Sequence, residues 1–307
     1  MHHKRSSIFV LVAVMLLTVA LALSACGSPD EVEPTPSAAP TGAQSQPPST
    51  SPTEAQPGAP SPSPSGSLSV ISVYFMRGQF VGAAHRAVPV TSAPAGAAMR
   101  QLLVGPTEGE QAAGLHSQIP PGTTVLGITI RDGVAIVDLS VDFAAGVAPL
   151  EDRGRLAQVV YTLTQFPTVE GVRFRIEGEP LVFRSGEGAA DRRPQTRASF
   201  EDVTPAIFVE LPAPGDHVGS PLIVTGTANT FEAQFFVRVR DAAGKSLVNK
   251  SVMATSGSGT RGTFNESVDF STTSPNVTLE VYESSAADGR PVHVVRIPLF
   301  IDEGVAQ

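Results

Sequence analysis

The motif G-x-G-x-x-G at residues 257–262 is the pattern in this sequence that most resembles a cofactor-binding signature. Such glycines cradle a dinucleotide phosphate when a strand precedes them and a helix follows, because the helix N-terminus attracts the anion. Residues 263–270 instead alternate apolar and polar side chains, which is typical of a strand. The motif therefore indicates a glycine-rich hairpin loop and not a nucleotide site.

Histidine and carboxylate side chains are the next candidates for chemistry. Four histidines lie beyond the N-terminal segment: His85, His116, His217 and His293. None is three or four residues from another His or from a Cys, so zinc-ligand spacing is absent and surface positions are predicted. Asp138 and Asp142 could act as acid and base or bind Ca²⁺, yet no Asp/Asn/Gly loop surrounds them. A solvated face or a strand-end cap is the preferred interpretation.

Nucleophilic catalysis also lacks a candidate in this sequence. No G-x-S-x-G motif occurs, and the chain has a single cysteine, Cys26. Glu151 and Asp152 are interpreted as acidic residues that favour the positive end of a helix. The protein is therefore predicted to be non-enzymatic, with no catalytic residue, metal or cofactor.

The position of Cys26 predicts a lipid anchor. Lys4 and Arg5 precede a run at residues 8–22 that is apolar apart from Thr18, and Leu23-Ser24-Ala25 supplies small residues before the cysteine. Leu-Ser-Ala-Cys resembles the bacterial lipoprotein box. The resemblance implies cleavage after Ala25, lipidation of Cys26 on sulfur (palmitate in the usual form) and attachment to the extracytoplasmic face of the cell membrane. The alternatives are an uncleaved anchor helix or a cysteine placed there by chance.

Composition separates the rest of the chain into a tether and two globular parts. Residues 27–67 contain eleven prolines and no Lys or Arg, which predicts a disordered tether, either a spacer or filler of no required length. Residues 1–25 hold two of the 21 Lys and Arg and none of the 29 acids, so the remainder has 19 against 29, a net charge of −10. Nucleic-acid binding is disfavoured because no basic patch is available to neutralise phosphates.

Residues 125–140 predict a β-hairpin at the centre of the first globular part, residues 68–184. Asp132-Gly133 is a two-residue turn signal, and its register pairs Ile130 with Ala135, Ile128 with Val137 and Leu126 with Leu139. These six side chains would share the core face. The opposite face would carry Val125, Val134 and Ile136 among polar neighbours, and this half-apolar face is the candidate partner-binding surface.

Helices and strands on either side of the hairpin predict an α+β domain. Residues 68–75 alternate like a strand, with 88–90 as a short partner. Residues 94–104 and 150–166 show helical apolar spacing, and 172–176 read as a further strand with 180–183 as a short continuation. The predicted order is β, α, β-hairpin, α, β, which gives an antiparallel sheet covered by two helices.

Several segments of this part resemble the GerMN domain, a sporulation and spore germination domain. They are Tyr74-Phe75 and residues 102–107, 119–123, 137–139 and 157–167. The resemblance covers residues 68–184 in one continuous order. It implies protein–protein assembly without agreed catalytic residues, and possible self-association through this domain.

Residues 205–302, after a predicted linker at 185–204, read as a second, all-β domain. Seven alternating segments predict strands at 207–211, 222–227, 233–241, 247–254, 263–270, 277–283 and 292–301. Seven short strands in under 100 residues favour an immunoglobulin-like sandwich, and residues 303–307 form a tail. Residues 212–215, 220–228, 231–233 and 281–289 resemble the GerM-associated immunoglobulin-like domain, which implies adhesion or binding.

The predicted function is therefore that of an extracytoplasmic lipoprotein that binds protein partners in the cell envelope. The alternative is an accessory lipoprotein that recognises cell-wall glycan or a small solute. Glycan platforms usually rely on aromatic stacking, and this chain has no Trp and three Tyr.

Overall fold

The structure is a computed structural model that describes residues 67–146, 153–184 and 190–302. All of these residues lie in one compact unit, residues 62–307. The predicted signal sequence with Ala25, Cys26, residues 27–66 of the predicted tether, Glu151 and Asp152, and the predicted tail all lie outside the described residues.

The described residues of the first domain up to Pro180 form strands β1 to β7 and helices α1 to α3. The strands are β1 (Leu68–Arg77), β2 (Phe80–Pro89), β3 (Leu115–His116), β4 (Val125–Arg131), β5 (Val134–Leu139), β6 (Gly171–Ile176) and β7 (Glu179–Pro180). The helices are α1 (Pro94–Val104), α2 (Glu108–Ala112) and α3 (Arg153–Leu163). Pro94 begins α1, and Gly105 ends it with a φ of 89°. Thr107 and Glu110 form a capping box that starts α2, a helix absent from the sequence prediction.

These strands form two sheets, and the predicted α+β class is confirmed. One sheet has the order β2-β1-β3 and the other β4-β5-β6-β7. The strand pairs of these sheets are antiparallel except for β5 and β6, which are parallel. Parallel neighbours need a long crossover connection, and α3 supplies it. The short partner predicted at 88–90 is in fact the ten-residue strand β2.

The hairpin β4–β5 follows the predicted register for most of its length. Asp132 and Gly133 have φ angles of 49° and 75°, as a two-residue turn with left-handed backbone requires. Ile130 pairs with Ala135 and Ile128 with Val137. The predicted pair of Leu126 with Leu139 is wrong.

A β-bulge between Val125 and Gly127 causes this change of register. A bulge adds one residue to one strand, so every residue beyond it points to the opposite face. Val125 therefore opposes Leu139 and packs against the core, whereas Leu126 is 51% exposed.

Polar side chains in α3 and just after its end form hydrogen bonds with the backbone of β1 and of the segment at Gln118. Gln165 accepts a bond from the Ser72 amide at 2.8 Å and donates to its carbonyl at 2.5 Å. Thr162 accepts from the Tyr74 amide at 3.2 Å. Gln158, one turn earlier and fully buried, accepts from the Gln118 amide at 2.8 Å. This part of α3 therefore pairs with the backbone edge of β1 that β2 leaves open.

The predicted linker contains ordered structure wherever it is described. After the short strands β8 (Phe183–Arg184) and β9 (Ala190–Asp191), Gln195 forms a β-bridge with Val172. A 3-10 helix follows at Arg197–Val203, and its Phe200 is 1% exposed in the core of the first domain. The described part of residues 185–204 thus packs onto the first domain.

The second domain is a two-sheet sandwich, and the immunoglobulin-like prediction is confirmed. Its strands are β10 (Ile207–Leu211), β11 (His217–Val218), β12 (Leu222–Ala228), β13 (Gln234–Asp241), β14 (Ser246–Met253), β15 (Gly262–Val268), β16 (Asn276–Ser284) and β17 (Pro291–Ile301). The sheets have the orders β10-β12-β15 and β11-β17-β16-β13-β14. All seven predicted strands are present. Alternate residues such as Phe235, Val237 and Val239 of β13 fill the core between the sheets.

Candidate functional site

Arg197 lies at the centre of the junction between the two domains. Its Nη1 donates to Oε1 of Glu210 in β10 at 2.7 Å, and its Nη2 donates to the Tyr74 hydroxyl at 3.2 Å. The Tyr74 hydroxyl donates in turn to the same Glu210 oxygen at 2.6 Å. The guanidinium also lies over the Tyr74 and Tyr161 rings, 5.2 and 4.8 Å from their centroids. One residue of the predicted linker thus ties both domains together.

The electrostatics of this cluster favour a structural role for it over a role in proton transfer. Burial, together with the negative charge of Glu210, raises the pKa of the Tyr74 phenol far above its ordinary value. Burial alone would lower the pKa of Arg197, but the neighbouring Tyr74 and Glu210 outweigh it and raise the pKa. Tyr74 therefore stays a protonated donor and Arg197 stays charged at any physiological pH.

Further contacts fix the junction from both sides. Phe208 of β10 is 2% exposed within the core of the first domain, with its ring centroid 5.5 Å from that of Tyr161. His85 of β2 lies 2.7 Å from Oδ2 of Asp216 in the second domain. His85 is half-buried, so the surface position predicted for it is wrong. The other three histidines are exposed, as predicted.

A cleft of about 680 Å³ lies beside the His85–Asp216 contact. Arg86 and Glu110 line it and form a bidentate ion pair with each other, and Glu110 also accepts from the Thr107 amide. The charged groups of the cleft are therefore already paired, and they offer a solute few free hydrogen-bonding partners.

The outer face of the larger sandwich sheet carries a second charged cluster. Glu280, 4% exposed, accepts hydrogen bonds from Arg240, Arg296 and Arg238 at 2.7, 2.9 and 2.7 Å. Burial would raise the pKa of its carboxyl, but these bonds outweigh burial and lower the pKa to about 2. Beside the cluster, Tyr282 stacks on Phe236 on this outer face, with the ring centroids 5.3 Å apart.

The partner face predicted on the hairpin is only partly assembled. Val134 and Ile136 are partly exposed, and in the register of β5 with β6 they lie beside Gly171 and Arg173. Val125 lies apart from them, because the bulge turns its side chain toward the core. The predicted trio of Val125, Val134 and Ile136 therefore does not form one face.

An apolar groove lies between α1 and the edge strand β4. Its volume is about 1200 Å³, and Arg100 is the charged residue among those that line it. Its apolar lining comprises Pro94, Leu103, Val104, Val125, Ile128, Ile130, Phe166 and Pro167. No local sequence pattern predicts this groove, because the packing of α1 beside β4 is a tertiary relationship.

The remaining candidates for chemistry serve structural roles. Asp138 accepts from the Gly178 amide at 3.0 Å, and Asp142 accepts from the Ser140 hydroxyl at 3.0 Å, so each acts as a local cap. In the loop at 257–262, a Cβ on Gly257 would lie 2.4 Å from the Thr230 carbonyl oxygen, and one on Gly262 would lie 2.2 Å from the Ser256 nitrogen. These glycines allow backbone segments to pack closely, and a strand follows them, as predicted.

Two further observations apply only to the part of the chain that the structure describes. No group of three or more His, Cys, Asp or Glu side chains is placed there to hold a metal ion. None of the helices there combines the length and the apolar character that crossing a bilayer requires.

Comparison with known families agrees with this architecture. Residues 72–182 match the Germane family model, described as sporulation and spore germination. Residues 206–290 match the Gmad2 family model, described as the immunoglobulin-like domain of bacterial spore germination. The chain matches the two family models in that order along its length.

One similar curated protein matches only part of this chain. Lipoprotein LpqB of Cutibacterium acnes (strain DSM 16379 / KPA171202) is 31% identical over 166 residues, which span 52% of this chain and 25% of that protein. This chain therefore matches about a quarter of the length of that relative.

Solved structures with similarity include two of the sporulation protein GerM from Bacillus subtilis. Its first GerMN domain has 26% identity and a TM-score of 0.34, covering 42% of this chain and 98% of that one. Its tandem GerMN domains have 19% identity and a TM-score of 0.37, covering 66% and 62%. A putative lipoprotein from Clostridium perfringens has 18% identity and a TM-score of 0.30, covering 45% and 93%.

Proposed function

We propose that this protein is a non-enzymatic, lipid-anchored adaptor on the extracytoplasmic face of the cell membrane, where it binds protein partners of the envelope. The observation that carries the proposal is the contrast between its buried and exposed groups. The charged side chains gathered at the junction are paired with one another, as Arg197 and Glu210 illustrate. Apolar side chains such as Val104 and Ile130 are exposed beside a groove. Exposed apolar surface of this kind is typical of a binding protein.

The lipid anchor of the proposal rests on Cys26. The cysteine follows a basic start, an apolar run and small residues, and the similar protein from Cutibacterium acnes is named a lipoprotein. Two or three acyl chains, at roughly 0.8 kcal/mol per buried CH₂, would hold the folded domains at the membrane.

An acyl-labelling experiment tests the anchor directly. Cells that produce the full chain are fed an alkyne analogue of palmitate, and the label on the purified protein is measured. The Cys26→Ala variant is expected to lose the label. It should also leave the membrane fraction unless its signal sequence stays uncleaved. The mass of the intact protein shows whether the signal sequence has been removed. Ser28→Ala, two residues further on, is the matched control and keeps the label. Label retained by Cys26→Ala would refute lipidation at this residue.

The partner-binding part of the proposal calls for a second measurement. Crosslinking in intact cells, followed by purification of the full chain and mass spectrometry, is expected to recover envelope proteins. Sedimentation of the full chain over a range of concentrations tests self-association through the first domain. A strictly monomeric profile would exclude self-association and leave a different protein as the partner.

The alternative of solute or glycan recognition has less support from the structure. The cleft beside His85 and Asp216 is lined by the paired Arg86 and Glu110. The aromatic pair Phe236 and Tyr282 lies on the outer face of the sandwich, where Arg238 lies over the Tyr282 ring at 4.6 Å. That contact leaves a sugar little open ring surface on which to stack.

A further inference from the structure

The edge of β4 that faces away from β5 lacks a partner strand among the described residues. In the sheet order β4-β5-β6-β7, β4 is an outermost strand. The bulge between Val125 and Gly127 leaves residues 127–131 as the regular part of this edge. Unpaired amides and carbonyls along a strand edge accept another extended chain readily, because each finds a hydrogen-bond partner there.

Apolar side chains lie next to this edge and remain exposed. Val104, the last residue of α1, is 79% exposed, and Ile130 is 39% exposed. Both line the groove of about 1200 Å³, together with Leu103, Ile128 and Phe166. If a bound chain extended the sheet at β4, every second side chain of that chain would point into the groove and cover these exposed side chains.

Arg100 gives the groove a charge preference. Its side chain is exposed, and a Cβ built on Gly96 would lie 3.5 Å from its Nη1, so the guanidinium lies over the helix surface that the glycine leaves bare. No carboxylate among the described residues pairs with it, and no Asp or Glu lines the groove. A free cation beside apolar surface favours an occupant that brings a carboxylate.

We propose that the groove binds an extended segment of a partner protein, which adds to the edge of β4 as a further strand. This inference rests on the proposed function and specifies its binding site. The segment has apolar side chains at alternating positions, which enter the groove, and one acidic side chain that pairs with Arg100.

Two other occupants fit less well. Residues 27–66 of this chain contain eleven prolines, and a proline has no amide hydrogen to donate to a strand edge. A second copy joined through β4 would form a symmetric contact and bring two Arg100 cations toward one interface. A different protein with an acidic, apolar segment meets neither obstacle.

Site-specific photocrosslinking in the cells that produce the full chain tests this inference. A photoreactive phenylalanine analogue replaces Val104 or Ile130 at the groove. In control variants it replaces Ile223 or Met253, exposed apolar residues of the second domain. We expect the two groove positions to crosslink to one extended, acidic and apolar segment of a partner, identified by mass spectrometry.

Charge reversal adds a second arm to the experiment. In the background of the Ile130 probe, Arg100→Glu is expected to lower the crosslink yield about tenfold, because an acidic segment would then meet a like charge. Arg290→Glu, at an exposed arginine of the second domain, is the matched control and leaves the yield unchanged. An unchanged crosslink yield in the Arg100→Glu variant would refute the charge preference.

The possible outcomes separate this inference from the proposed function. Crosslinks from the groove to residues 27–66, or to a second copy, would overturn the inference. Partner crosslinks from Ile223 or Met253 alone would also overturn it while leaving the proposed adaptor function intact. No crosslink to any protein from any of the four positions would count against both. A synthetic peptide of the captured segment, N-methylated on alternate amides, must also bind less than its unmodified form, since equal binding would exclude strand addition.

Discussion

The hydroxyl of Tyr74 in β1 donates to Glu210 in β10 across 2.6 Å, although 136 residues separate them in the chain. Arg197 completes the triangle by donating to both. Because each of the three is partly or fully buried, loss of one leaves polar groups of the others without a partner.

Arg197→Met is therefore expected to lower the free energy of unfolding by about 1–3 kcal/mol, since it leaves Glu210 partly buried and unpaired. Urea denaturation at neutral pH measures the change. Arg290→Met is the control, because the pair of Arg290 with Asp288 is exposed and contributes at most about 1 kcal/mol. Equal effects of the two variants would contradict the central role of Arg197.

The low pKa of Glu280 predicts how stability depends on acid. Its folded pKa of about 2 lies below the ordinary value of 4.5, so the contribution is complete above pH 4.5 and is lost as the pH falls toward 2. Glu280→Gln should lower the free energy of unfolding at neutral pH. It should also make the slope of that free energy against pH shallower in this window, by the equivalent of up to about one bound proton. Denaturant titrations at several pH values measure this slope. An unchanged slope would show that Glu280 is not the group responsible, and the exposed Glu179→Gln serves as the control.

Phe208 is predicted to couple the two domains in unfolding. It belongs to the second domain by sequence but is packed in the core of the first. Phe208→Ala should cost about 3–5 kcal/mol, in the range of large core truncations. The exposed Phe231→Ala should cost less than about 0.5 kcal/mol. Calorimetry of the full chain should show one transition, and a fragment ending at residue 204 that is as stable as the intact protein would contradict this coupling.

Because of the bulge in β4, two leucines that would pair in a regular hairpin are expected to differ in their contribution to stability. Leu139→Ala removes a fully buried side chain and should cost about 2–5 kcal/mol. Leu126→Ala removes an exposed one and should change stability by less than about 0.5 kcal/mol. Thermal melts of the two variants measure both effects. Similar costs would mean that Leu126 faces the core and that the bulge is absent.

Gly262→Ala tests the structural role of the glycine-rich loop. Because the added methyl would lie 2.2 Å from the Ser256 nitrogen, stability should fall by more than about 2 kcal/mol. Gly109→Ala in α2, where nothing lies within 4 Å, should be neutral or slightly stabilising. Thermal melts measure both variants, and the melting temperature of the parent protein should not change when NAD is added. A rise with NAD would refute the interpretation as a loop without a cofactor.

Local patterns in the sequence were sufficient for much of the fold. Asp132-Gly133 predicts its turn because that geometry needs left-handed backbone, which Gly adopts freely and Asp tolerates. Residues 207–211 are predicted as a strand and form β10 within the same bounds. The alternation of the second domain predicts all seven strands, since each has one face in a dry core.

The missed features depend on contacts between distant residues. The parallel pairing of β5 with β6 is set by the packing of α3, and the residue pattern within either strand does not predict it. The bulge at Val125 has no residue signature beyond Gly127. Arg197 lies in a polar stretch that reads as a linker, and its role follows from Tyr74 and Glu210, which are far away in sequence. Gln158, Thr162 and Gln165 do carry a signal, because polar residues spaced by four and three recur along α3 and the turn that follows it.

The dual pairing of β1 also has a mechanical consequence. Any pull on the chain before residue 67 is transmitted to β1, because that strand is the first element of the described residues. β2 pairs with one edge along ten residues, and on the other edge Thr162 bonds to Tyr74 and Gln165 bonds to Ser72. Load applied at Leu68 is therefore shared between a hairpin and a helix, so the strand that receives the tension is also secured on both sides.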